Sequence, residues 1–145
     1  MDAAANDWSA VRTDLDAVLT QLRAAAPKTR IVIGTYDNPY RSCNLALGRP
    51  ETEALVAGYL EGGGGFAKGL NDVIREVAAA HEVAVAELYG ALAPEDWAAD
   101  CDMPSASGHD KLAEAFAEVI KCSGGNDPGS RICSFRGIGN GNGHK

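Results

Sequence analysis

The sequence predicts an α/β fold built on a parallel sheet. Three observations carry that expectation. Two short apolar, β-branched runs, "RIVIGTY" (30–36) and "VAVAELY" (83–89), lie far apart in the chain. Both are near-continuous in apolar residues, the pattern of strands covered on both faces. Helical patterns precede, separate and follow them, giving the order α-β-α-α-β-loop-α, and alternating elements make layered α/β folds. Two parallel strands with four helices leave sheet edges and helix faces uncovered. The chain therefore reads as the second half of a larger doubly wound domain.

The first helix is expected over 7–26. Trp8, Val11, Leu15, Val18, Leu19 and Leu22 fall on one stripe at steps of three and four, with Asp7 or Ser9 as cap and Pro27 as stop. The strand 30–36 follows, and "DNPY" (37–40) is turn chemistry. In open parallel sheets, loops after the C-terminal strand ends form the ligand crevice, which singles out Asp37 and Asn38. The plainer reading of both is a turn. A helix over 51–61 turns Leu55, Val56, Tyr59 and Leu60 inward until "GGGG" (62–65) breaks it. A phosphate loop needs Gly-Lys-Ser/Thr at a helix start, but Gly69 follows Lys68. The next helix, 66–82, buries Leu70, Val73, Ile74 and Val77, and His81 at its end reads as a solvated partner of the helix dipole. After the strand 83–89 comes a loop over 90–106 with Trp97, Asp100, Cys101 and Asp102. The last helix, about 107–120, turns Leu112, Phe116, Val119 and Ile120 inward, with Ser107 and Asp110 spaced as a capping box.

These elements fill a single α/β domain over 1–121. Residues 122–145 are rich in Gly and Asn, lack periodicity and read as a flexible tail. Their "GIGNGNG" has no strand before it and no helix after it, so it is no dinucleotide fingerprint, and no cofactor is expected. At 46% hydrophobic the chain can build a core. Its 13 basic and 20 acidic residues give a net charge of −7, which argues against a nucleic-acid or anionic-membrane partner. No apolar run reaches the roughly 18 residues of a transmembrane segment.

Cys43, Cys101, Cys122 and Cys133 show no C-x-x-C spacing, so no zinc site or other metal is expected. Two readings stand. An even count in loop contexts fits two disulfides in an oxidising compartment, whereas four unrelated thiols fit a reducing one. "MDAAANDWSA" has neither the basic start nor the apolar stretch of a signal peptide.

At three places the residues resemble the SGNH (GDSL-type) hydrolases. The segment Asp100-Cys-Asp-Met103-Pro104-Ser105-Ala-Ser-Gly108-His109 resembles the family's Asp-x-x-His-Pro-(Asn/Ser)-x-x-Gly-His block at the final helix. "AAND" (4–7), before a long helix, resembles its Gly-x-Asn-Asp block, and "RIVIGTYDNPY" resembles the strand and loop after that helix. The resemblance spans 4 to about 120. It implies a three-layer, flavodoxin-like doubly wound sheet and carboxylic ester hydrolysis on a small ester or acyl lipid. By position it makes Asn6 an oxyanion donor and Asp100 the acid that orients a histidine.

Acyl transfer of this kind needs a serine nucleophile, a histidine base, an aspartate to hold its tautomer, and oxyanion donors. The family's serine and glycine blocks would fall before residue 1, and Ala4 stands where the Gly-x-Asn-Asp block has Gly. Met103 stands in the histidine position, and a thioether cannot relay a proton near neutral pH. His109 is the candidate substitute base, weighed against a half-buried helix-start histidine packing on the sheet. Ser42, Ser105 and Ser107 lack a Gly-x-Ser-x-Gly elbow, and Ser107 is better explained as a cap. Cys101 reads as a reactive thiol or as the partner of Cys43. The bridge is preferred because both lie in loops after strand ends. The sequence thus predicts an SGNH-type esterase or lipase relative, truncated or degenerate and inactive. The alternative is a non-catalytic α/β binding module in the former active-site crevice, with self-association through an open sheet edge. The cysteines, and a family whose members are often secreted, fit an oxidising compartment, but the chain itself fixes no location.

Overall fold

The computed structural model describes residues 7–42, 49–101 and 103–120, and of Ser42 the backbone alone. Asn6, Cys43 and the Gly/Asn-rich segment 122–145 lie outside the described residues. The protein is a mixed α/β chain with a small two-stranded parallel sheet. Helix α1 (Ser9–Ala25) leads into strand β1 (Val32–Gly34). The short helix α2 (Pro39–Ser42) follows, then α3 (Pro50–Glu61), α4 (Leu70–Ala80), strand β2 (Ala84–Ala86), a 3-10 turn (Pro94–Asp96) and α5 (Ala106–Ile120).

The strands pair in parallel with Val32 opposite Ala84 and Gly34 opposite Ala86. They are shorter than the two apolar runs, and the reason lies just past their ends. The Asn71 side chain takes both backbone groups of Tyr36: its Oδ1 accepts the N–H at 2.8 Å and its Nδ2 donates to the carbonyl at 2.9 Å. Thr35 Oγ1 accepts the Leu88 N–H at 2.8 Å. Side chains thus replace the ladder where it would continue. The expected burial on both faces is corrected too. Ala86 is buried, but every other strand residue is only half-buried. Among the described residues no third strand flanks the pair, and so narrow a sheet is only partly covered by its helices.

Helix α4 is the hub, packing on α1, α3 and β2. Its Val73, Val77 and Ala78 form the core with Leu19 and Val83, and Trp8, Leu15, Ile31, Ile33 and Val85 pack around them. The helix starts at Leu70 rather than 66, because Phe66 pairs with Gly63 in an antiparallel bridge that closes the glycine turn. The broad apolar stripe expected on α1 narrows to buried Leu19 with Trp8 and Leu15 half-buried beside it. Val11, Val18 and Leu22 are exposed, because a helix resting on one neighbour buries only the side that meets it. On α3, Leu55 and Tyr59 are likewise exposed, while Leu60 and Gly58 are buried. His81 is not a solvated dipole partner: its Nε2 meets Asp16 Oδ1 of α1 at 2.7 Å.

Helix α5 contacts both strands and the 3-10 turn. Its cap is Ser105, not Ser107. Ser105 Oγ accepts the Gly108 N–H at 3.3 Å, and the Ser105 carbonyl accepts the His109 N–H at 2.9 Å. Gly108 is required by a close approach, since a Cβ there would lie 2.1 Å from the Asp96 carbonyl oxygen. At the other end, the Arg30 guanidinium donates to the last carbonyls, those of Val119 and Ile120.

Candidate functional site

Among the described residues four polar side chains are buried: Thr35, Asn38, Asn71 and Asp96. Each is hydrogen-bonded, as burial demands, and together they organise the C-terminal ends of the two strands. Asp37 follows β1 and reaches across to the loop after β2. Its Oδ1 accepts the N–H of Gly90 at 2.6 Å and of Asn38 at 2.8 Å, and its Oδ2 accepts the N–H of Leu92 at 3.3 Å. Asn38 holds the next turn, accepting from Tyr40 N–H at 3.0 Å and donating to the Glu53 carbonyl of α3 at 3.2 Å. The sequence pointed to Asp37 and Asn38. The structure gives both the bonding of loop clamps, the plainer of the two readings.

Asn71 and Asp96 carry no motif and were missed. Their signal is a polar residue inside an otherwise apolar helical stripe, and an acid in a Pro-Glu-Asp turn. Asn71 joins β1 to α4 and also donates to Glu61. Beside it Arg75 gathers Glu61, Asp72 and Glu87, drawing α3, α4 and the end of β2 together. Bonding to Glu87 and Glu61 raises the Arg75 pKa, and Arg75 in turn lowers that of Glu87. Asp96 anchors α5. Its Oδ1 accepts Ser107 Oγ at 2.8 Å, while its Oδ2 accepts the Ala93 N–H at 2.8 Å and the Lys111 ammonium. The Lys111 ammonium, then the Ala93 N–H, lowers the Asp96 pKa below its ordinary range against the opposing cost of burial.

Of the residues expected for catalysis, Asn6 lies outside the described residues, and Asp100 and His109 do not line this point. Asp100 is exposed in the turn before Cys101. Met103 is 60% exposed. His109 is exposed on the first turn of α5, neither packed on the sheet nor bonded through its ring to a described residue. The hydroxyls of Ser105 and Ser107 face each other at 3.0 Å and the Glu95 carbonyl. No serine hydroxyl meets a histidine among the described residues. Cys101 is not a free thiol. It is disulfide-bonded, and the cysteine joined to it lies outside the described residues. Among the described residues no group of three His, Cys, Asp or Glu could hold a metal ion, and no helix is long and apolar enough to cross a membrane.

An open cavity of about 350 Å³ lies at the strand ends, lined by Arg41 and residues 90–94. The backbone donors of this loop are already used. The N–H groups of Gly90 and Leu92 bond Asp37, that of Ala91 the Leu88 carbonyl, and that of Ala93 Asp96. An oxyanion hole needs free donors aimed at the reacting centre, and these amides are not free. No family model matches this chain, and no curated protein or solved structure matches it either.

Proposed function

We propose that this chain is a catalytically silent α/β binding domain of SGNH-hydrolase descent, holding a small molecule in the crevice at its strand ends. The observation that carries the reading is the Asp37 clamp. A carboxylate after β1 fixes the loop after β2, and the cavity lies on that loop. Ligands of open parallel sheets bind at this place. The flavodoxin-like part of the proposal is supported by strand alternation. Ile33 and Val85 pack with the α4 core, whereas a Cβ on Gly34 would meet Phe116 of α5 at 3.0 Å, so helices approach from both faces. SGNH descent rests on the sequence blocks at 4–7 and 100–109. Loss of turnover is supported by Met103 in the base position and by the exposure of Asp100 and His109.

Two measurements test this. An ester assay with p-nitrophenyl butyrate is expected to give background rates in the native chain and in Met103→His. Turnover in either would overturn the silent assignment. Amide chemical shifts recorded against a panel of neutral and charged small molecules are expected to move at 35–38 and 87–94. A panel that moves other regions only would overturn the binding site.

A further inference from the structure

Resting on that reading, we infer that the crevice ligand is a small anion whose carboxylate or phosphate head is held by the Arg41 guanidinium. Arg41 projects from α2 over the loop after β2. Its Cζ sits 5.9 Å from the centroid of the Tyr89 ring. A Cβ on Gly90 would lie 2.1 Å from its Nη1, so the guanidinium rests directly against the Gly90 backbone. Gly90 adopts a φ of 79°, and glycine there serves both the turn and the close approach.

The cations of the described residues differ in their bonding: Arg23 and Arg30 donate to backbone carbonyls, and Lys28 and Arg49, like Arg41, make no ion pair with a described residue. Arg12, Arg75, Lys68 and Lys111 all hold carboxylates. Arg41 is exposed and has no carboxylate or hydrogen-bond acceptor among the described residues. This is so in a chain with 20 acidic residues. The Asp37 carboxylate bonds three backbone N–H groups and makes no ion pair with Arg41. The loop amides of 90–93 are spent, so among the described lining residues the guanidinium is the donor left to this cavity. A guanidinium held over an aromatic face at cation–π distance keeps its fork of donors free for a two-point bond to an oxyanion. The remaining walls combine loop backbone with the apolar side chains of Ala91, Leu92, Ala93 and Pro94. One charged head with a short apolar body fits those walls. A volume of about 350 Å³ is at the small end of the roughly 300–1,000 Å³ of ligand sites.

The test is a chemical-shift titration of the full chain with sodium butyrate, inorganic phosphate and butyramide. Butyrate or phosphate is expected to move the Gly90, Ala91 and Ala93 amides and the Arg41 Nε–H saturably, and uncharged butyramide is not. Tighter butyrate binding assigns the head as a carboxylate, and tighter phosphate binding assigns it as a phosphate ester. Arg41→Gln should weaken the preferred anion at least tenfold with an unchanged near-ultraviolet dichroism spectrum. Arg41→Lys should keep part of the affinity, and it serves if Arg41→Gln does not fold. Equal binding of butyrate and butyramide, or full affinity in Arg41→Gln, overturns the anion inference and leaves the binding domain standing. Silence at 90–94 with all three probes also overturns it. The binding-site reading falls separately, if the neutral panel fails at the strand ends as well.

Discussion

Asp37 shows why a suggestive residue has to be judged by its bonds. Its two oxygens accept three backbone N–H groups, from Asn38, Gly90 and Leu92. Truncation strands those donors at the point where the two strand ends meet. Asp37→Ala should cost about 2–3 kcal/mol, on the scale of charge-assisted bonds lost with their partners left behind. A urea titration checks this as a lowered midpoint at unchanged slope. Asp96 makes a prediction in pH. Folding lowers its pKa from 3.8 through Lys111, Ala93 and Ser107, and lowers that of Glu87 from 4.5 through Arg75. A carboxyl lowered on folding contributes stability that is fully present above its unfolded value and is lost as pH falls through its folded value. The melting temperature should therefore hold above about pH 5 and drop as the solution is acidified below about pH 4.5. Asp96→Asn should be less stable at neutral pH and show a shallower drop below about pH 4. An equally steep drop in that variant would show that Asp96 is not among the groups responsible.

At the scale of elements, packing is decided where backbone meets backbone. Helix α3 ends against the start of α4, and a Cβ on Gly69 would lie 2.2 Å from the Leu60 carbonyl oxygen. Helix α5 meets the 3-10 turn at Gly108, with the Asp96 carbonyl just as close. Neither neighbour is a flexible side-chain tip, so the elements themselves must part. Gly69→Ala and Gly108→Ala should each cost about 1–3 kcal/mol, the range for overpacking. Gly64, with open space around its missing Cβ and a φ of 58°, is the comparison. Gly64→Ala should cost only the left-handed backbone strain, about 1–2 kcal/mol. Thermal melts of the three variants rank them. The same helices show how far amphipathic patterns carry. The period on α4 named Leu70, Val73, Ile74 and Val77, of which the last three are buried and Leu70 is half-buried. The period on α1 and α3 named Val18, Leu22, Leu55 and Tyr59, which are exposed, because periodicity fixes a helix's apolar side but not how much of it a neighbour covers.

For the whole molecule, the question is whether a two-stranded sheet and its helices melt as one unit. The two tryptophans report from opposite ends of the chain. Trp8 donates to the Lys68 carbonyl at 2.9 Å and packs edge-on against Tyr59, while Trp97 bridges to Pro104 beside α5. A single cooperative loss of near-ultraviolet dichroism is expected, coincident with the far-ultraviolet loss. Two separated transitions would show that α1 and α5 belong to different cooperative units. The disulfide at Cys101 adds a covalent constraint. A non-reducing peptide map is expected to join Cys101 to Cys43, and reduction should then lower stability by about 2–4 kcal/mol. A Cys101 peptide joined to Cys122 or Cys133 would reject the Cys43 pairing.

By itself the sequence determined the α/β class, the parallel direction of the two strands, the order of the long helices and the loop after β1 as a place of interest. These follow from patterns repeated along one segment: the helical period, the apolar strand run, and Pro or Gly at element ends. Tertiary structure alone decided what each polar residue does. Asn71 ends a strand, Asp96 holds a helix, and Arg41 lies over Tyr89 with no carboxylate partner among the described residues. Asp37 clamps a loop more than fifty residues away. A side chain's role depends on which groups its bonds reach, and here those groups come from distant parts of the chain. Local pattern predicts an element, but only the fold brings a donor to its acceptor.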